Sequence, residues 1–151
     1  MDIRQDNLSG EAVIALLQEH LDDMHATTPA ESVHALDLDG LRRPEITFWT
    51  IWEGEMLAGC CALKALEAGH GEIKSMRTAR AYRRRGVGAL LMEHLLAEAR
   101  RRGYQKLSLE TGSPDFFAPA RRLYARFGFT SCEPFADYVL DPHSVYLSRT
   151  L

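Results

Sequence analysis

The stretch Arg83-Arg84-Arg85-Gly86-Val87-Gly88 lies between a segment that reads as a strand, Glu72 to Thr78, and one that reads as a helix, Val87 to Arg102. A glycine-containing loop that opens a helix presents backbone N–H groups with no partner inside that helix, and the helix dipole adds positive potential there. Such a junction is an anion site. Gly86 and Gly88 allow a sharp turn and a close approach of ligand to backbone, and three arginines raise the local charge. The residues therefore predict a pyrophosphate cradle at a strand-to-helix crossover, which in turn requires a sheet with helices packed on it.

Two familiar phosphate loops do not fit. The Walker loop needs two glycines five apart followed by Lys and Ser or Thr, and the dinucleotide fingerprint needs three glycines at fixed offsets. With 151 residues the chain has enough sequence for one core, so residues 1–151 are expected to form a single domain. Apolar residues make up 46% and charged residues 26%, the balance of a globular protein rather than a disordered one. No apolar run approaches the ~20 residues of a membrane span. Asp2, Arg4 and Asp6 stand where a signal peptide would need its apolar core, so the expected location is cytoplasmic, with no membrane partner.

Cys60, Cys61 and Cys132 are odd in number, and the first two are adjacent in a strand-like run, where neighbours point to opposite faces. They read as buried small residues in a reducing compartment, with no disulfide frame and no metal site. Charge is distributed unevenly. Met1 to Met76 carries 5 basic and 14 acidic residues, whereas Arg77 to Leu151 carries 13 basic and 7 acidic. A mixed solvated surface accounts for this; so does a second half that handles an anionic cofactor and a first half that handles a cationic substrate.

Along the chain, Ser9 is a candidate N-cap for an amphipathic helix from Glu11 to Met24, with Val13, Ile14, Leu17, Leu21 and Met24 at helical spacing. Thr28-Pro29-Ala30-Glu31 has the form of a capping box and predicts a short second helix through about Ala35. Leu36 to Pro44 reads as loop. Ile46 to Trp52 and Met56 to Leu66 form a hairpin around Glu53-Gly54-Glu55, and Glu72 to Thr78 follows as a third antiparallel strand. After the arginine-glycine loop, Leu90, Leu91, Leu95, Leu96 and Ala99 supply a buried helix face, ended by Gly103. Lys106 to Glu110 is a strand, Gly112-Ser113-Pro114 a breaker, and Ala118 to Phe127 a helix stopped by Gly128. Thr130 to Phe135 and Ser144 to Ser148 read as the final strands.

A second motif, Ala120-Arg121-Arg122-Leu123-Tyr124-Ala125-Arg126-Phe127-Gly128-Phe129, completes a pattern. Helix, helix, three-strand meander, Arg-x-x-Gly-x-Gly, helix, strand, helix ending in Leu-Tyr-x-x-x-Gly-Phe, strand, strand: this order resembles the GNAT N-acetyltransferase superfamily across nearly the whole chain. The resemblance implies an α/β (α+β) fold with a mixed, mainly antiparallel central sheet flanked by helices. It also implies direct attack of an amine on the thioester of acetyl-CoA, with no metal. An enzyme of this kind supplies orientation, a route for the amine's proton, an oxyanion donor and a proton for the departing thiolate.

Carried onto this sequence, the resemblance puts backbone groups of Met76, Arg77 and Thr78 along the pantetheine arm. Loop residues Arg83, Arg84, Arg85, Gly86, Val87 and Gly88 would surround the pyrophosphate, with Ala120 opening the second motif. Tyr124 matches the tyrosine that many members place close to the coenzyme sulfur, which makes its hydroxyl the candidate for protonating the thiolate; it can also be read as a packed aromatic. Glu72 matches a glutamate that serves some members as base, directly or through water, and can also be read as a solvated strand end. Phe117 stands where members often carry an asparagine that contacts the coenzyme, so that contact is lost or is replaced by Ser113. The acceptor site of the family maps onto residues 28–43 and 133–143. Glu31, His34, Asp37 and Asp137, with Asp39 and Asp141, would line it and suit a cationic amine of a small molecule or protein. Many members are dimers, although no feature here fixes an interface. A non-catalytic acyl-CoA-binding module is the alternative. Nucleic-acid binding by Arg83 to Arg85, Arg100 to Arg102 and Arg121-Arg122 fits least, given the net charge of −3 and the lack of an aromatic-interleaved basic face.

Overall fold

In a computed structural model that describes residues 1–151, seven strands form one sheet in the order β1-β2-β3-β4-β5-β7-β6. The strands are β1 (Asp2–Gln5), β2 (Ile46–Glu53), β3 (Met56–Ala65), β4 (His70–Thr78), β5 (Lys106–Gly112), β6 (Thr130–Ser131) and β7 (Ser144–Thr150). Every neighbouring pair is antiparallel except β4 and β5, which run parallel. Four helices accompany the sheet: α1 (Glu11–Thr27), α2 (Leu38–Leu41), α3 (Val87–Arg101) and α4 (Ala118–Arg126). This is the mixed, mainly antiparallel architecture that the element order implies.

Alternation along the strands sorts side chains to two faces. One face carries Trp49, Ile51, Cys61, Leu63, Ile73, Leu107, Leu109 and Leu147 and is covered by Leu91, Met92, Leu95, Leu96 and Ala99 of α3 with Tyr124 of α4. The other carries Phe48, Cys60 and Ala62 under Val13, Leu16 and Leu17 of α1 and Leu41 of α2. Adjacent Cys60 and Cys61 thus lie in opposite cores, both fully buried, and burial pushes the Cys60 thiol up to about 12. Cys132 is only partly covered. α3 and α4 end as their glycines dictate. Gly103 (φ +78) and Gly128 (φ +85) take the left-handed turn, and the N–H groups of Tyr104 and Phe129 reach back to the carbonyls of Ala99 and Tyr124.

Several elements depart from the sequence expectation. Gly10, not Ser9, is the N-cap of α1, and the Ser9 hydroxyl donates to Asn7 instead. The 28–31 box forms only a single 3-10 turn, Ala30–Ser32, with no side-chain cap, because Thr28 already closes α1. Within the expected loop, Asp37 accepts a hydrogen bond from the Gly40 N–H at 2.8 Å and starts α2. β1 was not foreseen; it adds a mostly polar edge to β2. β6 stops after two residues, before Pro134, which lacks the N–H that a longer ladder would require.

β4 and β5 position the site. Their pairing runs from His70↔Lys106 to Ile73↔Leu109 and stops, although β4 continues to Thr78 and β5 to Gly112. On its other side β4 stays paired to β3, with a register shift that places one residue of β3, Cys61, opposite two of β4, Ser75 and Met76. Ser75 sits in that bulge with φ +50, a region that non-glycine residues seldom occupy, and such outliers concentrate at functional sites. Past Ile73 and Leu109 the two strands no longer pair, and an opening is left in the middle of the sheet.

Candidate active site

The opening leads into a cavity of about 710 Å³. One end is basic and rich in free amides. Arg84 (φ +63) and Gly86 (φ +81) bend the loop so that the N–H groups of Val87, Gly88 and Ala89 precede the first intrahelical bond, Leu90 N–H to the Gly86 carbonyl. Arg83, Arg84 and Arg126 line this end. Gly86 needs its glycine for the positive φ, since a Cβ there would meet nothing within 4 Å. Gly88 has a packing task as well: a Cβ on it would fall 2.8 Å from Leu123 Cδ2, so its smallness lets α3 approach α4.

The cavity then runs along Ser75, Met76, Arg77 and Thr78 of β4. The Arg77 side chain does not face a ligand. It turns to α1 and donates to Glu19 at 2.5 Å and Asp23 at 2.6 Å, almost fully buried. Burial alone would raise the Asp23 carboxyl, but Arg77, with Arg80 and Arg83, outweighs it and holds the group below its ordinary range. Beside this pair, burial and the Arg77 charge push His20 down to about 4, so the imidazole facing the cavity is neutral at physiological pH.

Across from β4, Tyr124 of α4 lines the cavity and is 5% exposed. Burial first, then the charges of Glu110 and Cys61, raise its phenol well above the ordinary range, so its hydroxyl keeps its proton at neutral pH. Phe117 lines the wall too, but as packing: its ring lies over Gly112, where a Cβ would come within 2.2 Å. Ala120 completes that side.

The far end is polar and built from distant segments. Glu72 is 2% exposed and accepts a hydrogen bond from the Tyr138 hydroxyl at 2.6 Å. Lys74 donates to the same hydroxyl at 2.9 Å and to the His34 carbonyl at 3.2 Å, with Glu72 at 3.4 Å. Glu110 stands next to them on β5 without an ion-pair partner. Burial, countered in part by the Ser144 hydroxyl and Lys74 and reinforced by Glu72 and Asp141, raises its carboxyl from 4.5 to about 7. Ser32, His34 and His143 close this end, and the Nε2 of His34 is buried with no partner.

The structure thus gathers Glu72, Met76, Arg77, Thr78, Arg83, Arg84, Gly86, Val87, Gly88, Phe117, Ala120, Tyr124 and His34 around one cavity. Seven expected residues lie outside it, Asp39 and Asp141 among them. Arg85 is exposed, stacks over Tyr82 at 4.7 Å and approaches Glu53 at 3.4 Å. Ser113 donates to the Pro142 carbonyl at 2.6 Å and does not line the cavity, so it is no stand-in for the asparagine. Asp37 caps α2, and Glu31 and Asp137 are exposed on the surface. Glu110, Lys74 and Tyr138 were missed. Alternation offered a signal for the first: in Lys106-Leu107-Ser108-Leu109-Glu110 the polar Ser108 and Glu110 share the face opposite the two leucines.

A split mixed sheet, with helix-start amides and arginines at one end of the cleft and a buried tyrosine and carboxylates at the other, defines a coenzyme-A-dependent acyltransferase. The comparisons agree with that class. The model of the acetyltransferase (GNAT) family matches residues 13–129, and the chain belongs to this family. It is 55% identical over 151 residues, the whole of both chains, to the uncharacterized N-acetyltransferase YsnE of Bacillus subtilis (strain 168). It is 53% identical to the uncharacterized N-acetyltransferase YedL of Escherichia coli (strain K12), over 99% of this chain and 94% of that one. Among solved structures, a protein of Klebsiella pneumoniae provisionally described as an acyl-CoA N-acyltransferase superposes with a TM-score of 0.79 at 28% identity, over 99% and 97% of the two chains. A Bacillus subtilis acetyltransferase solved in complex with CoA shares the fold at a TM-score of 0.73 and 18% identity, over 99% of this chain and 97% of that one. No helix is long and apolar enough to cross a membrane.

Proposed function

We propose that this chain transfers the acetyl group of acetyl-CoA to a primary amine held at the polar end of the cavity. The observation that carries the reading is the opening between β4 and β5, because it joins the amide-rich start of α3 to Tyr124 and two carboxylates in one continuous space. The pyrophosphate would lie on the N–H groups of Val87, Gly88 and Ala89 with Arg83 and Arg84 beside it. The pantetheine arm would run along the backbone of Met76 to Thr78 as an added strand. An N–H of the Ser75–Met76 bulge would face the thioester oxygen, where a donor aimed at the developing oxyanion speeds acyl transfer most. The Tyr124 hydroxyl would donate to the departing sulfur.

For the acceptor, the charged groups of the far end favour an amine that arrives as a cation. Lys74 is held by Glu72, Tyr138 and the His34 carbonyl, so its charge is answered within the protein, whereas the Glu110 carboxyl is not. On this reading the acidic groups that would meet the cation belong to the sheet, and Glu31, Asp37 and Asp137 stand apart from the cavity.

Calorimetric titration with acetyl-CoA, on the native chain and on Gly86→Asp, tests the cradle. Asp at this position adds a negative charge where the pyrophosphate belongs and should weaken binding at least tenfold, with an unchanged far-UV spectrum. Equal affinities, or no binding by the native chain, would refute the placement. A thiol-release assay with putrescine, tyramine and a tripeptide with a free N-terminus then distinguishes an enzyme from a coenzyme binder.

A further inference from the structure

We propose that Glu110 on β5, and not Glu72 on β4, is the catalytic residue that takes the proton from the acceptor's ammonium, and that Glu72 positions Lys74 and Tyr138 instead. The inference rests on the acetyl-transfer reading and assigns the two carboxylates of its site.

Placement comes first. Both carboxylates line the cavity, but their surroundings differ. Glu72 Oε2 receives the Tyr138 hydroxyl at 2.6 Å and lies 3.4 Å from the Lys74 ammonium. Tyr138 is in turn wedged edge-on between the rings of His34 and Phe135, at centroid distances of 5.1 Å each. A carboxylate so engaged orders the loop from Cys132 to His143 over the site. To collect a substrate proton it would have to give up part of a buried, bonded ion pair, which is costly. Glu110 has no such engagement. It lies one residue past the last paired position of β5, Leu109, where the two strands have begun to part, and β7 backs it at Tyr146. That places its carboxyl at the inner end of the opening, where the Tyr124 phenol across the cavity feels its charge.

Every element packed around Glu110 contributes a group that acts on it or feels it: Lys74 and Glu72 from β4, Tyr124 from α4, Tyr138 and Asp141 from the loop, and Tyr146 with the Ser144 hydroxyl from β7. Lys74 is the one cation among them, and it is shared with Glu72. The tyrosines stay neutral near neutrality, since burial, with the carboxylates around them, raises all three phenols. The balance leaves Glu110 titrating at about 7, the range in which a general base is both deprotonated and able to hold a proton.

Glu110 carboxylate takes one proton from R–NH3+, giving R–NH2 and the carboxylic acid. The nitrogen lone pair forms the C–N bond at the thioester carbonyl, and collapse of the tetrahedral adduct breaks the C–S bond. The second proton on nitrogen reaches the sulfur through the Tyr124 hydroxyl, which gives up one proton and recovers another. CoA leaves as the thiol, and Glu110 returns its proton to water in the cavity.

The test compares Glu110→Gln and Glu72→Gln with the native chain. The probe is whichever of putrescine, tyramine or the tripeptide the native chain acetylates fastest, followed from pH 5.5 to 9. Glu110→Gln should lower kcat about a hundredfold or more at pH 7, abolish the rise of the rate through pH 7, and leave acetyl-CoA affinity unchanged. Glu72→Gln should keep that rise while raising the acceptor KM. Carboxyl-carbon NMR of the resting protein supplies a readout that needs no acceptor, with the Glu110 signal assigned by its loss in Glu110→Gln. A midpoint between 6 and 8 supports the assignment, and one between 4 and 5 overturns it. A Glu110→Gln enzyme with native rate and profile also overturns it, and does so without touching the acetyl-transfer reading. Loss of acetyl-CoA binding by the native chain would remove both.

Discussion

Replacing Glu110 by Gln should stabilise this protein, by an amount that grows with pH. The folded chain raises the Glu110 carboxyl from 4.5 to about 7, chiefly through burial, so folding above pH 7 puts a charge into a site that resists it. The sign follows from proton linkage. A group whose pKa is raised by folding gives its full stabilising share below the unfolded value, and that share is lost as the pH rises through the folded value. A difference of about 2.5 units corresponds to about 3 kcal/mol well above pH 7, at 1.36 kcal/mol per unit. At pH 5 less than about 1 kcal/mol of that is lost. Between pH 5 and pH 8.5 the advantage of Glu110→Gln over the native chain should therefore widen by about 2 to 3 kcal/mol. Urea unfolding at the two pH values measures this directly. With the slopes typical of small proteins, the variant's midpoint should gain roughly 1 M or more on the native chain's over that range. Parallel pH profiles of stability for the two proteins would show that the carboxyl is not held in an unfavourable site, and the linkage reasoning would fail with it.

Two further outcomes follow from the geometry. Arg77→Met should cost roughly 2 to 3 kcal/mol in urea unfolding, because Glu19 and Asp23 lose the buried cation they share and keep only the exposed Arg80; Glu19→Gln and Asp23→Asn introduced with it should recover much of the loss. Tyr124→Phe keeps the ring that packs near Phe129 and removes only the hydroxyl; kcat should fall about tenfold to a hundredfold, with calorimetric affinity for acetyl-CoA unchanged, and an undiminished kcat would dismiss the tyrosine as the sulfur's donor.

What could be read in advance was what is local. The strand-loop-helix junction at Gly86, the stops at Gly103 and Gly128, and the opposite faces of Cys60 and Cys61 depend on φ angles and on two-residue or 3.6-residue periods that a few neighbouring residues fix. β1 offered no such signal, because an edge strand with Ile3 as its one apolar residue is held by pairing with β2 and not by its own pattern. α2 is too short to show a period. The amide-rich, arginine-lined end of the cavity was legible for the same local reason. The polar end was not: Tyr138 meets Glu72 across 66 residues of chain and Lys74 meets His34 across 40, and neither partner names the other in sequence. An acidic loop such as Asp37 or Asp137 looks like a lining until the backbone shows that one caps a helix and the other faces water.

A sheet normally meets its boundary at the outermost strands, where unpaired amides invite another chain and must be guarded. This one also carries a boundary in its centre, because β4 beyond Ile73 and β5 beyond Leu109 no longer answer each other. The vacancy lies between layers that hold α1 on one side and α3 and α4 on the other, so a whole polypeptide strand with its side chains has no easy way in. A guest with amides but no side chains meets no such obstacle. The unpaired amides of this inner boundary are thus guarded by the helices on either face, as an outer edge would have to be guarded by its own side chains.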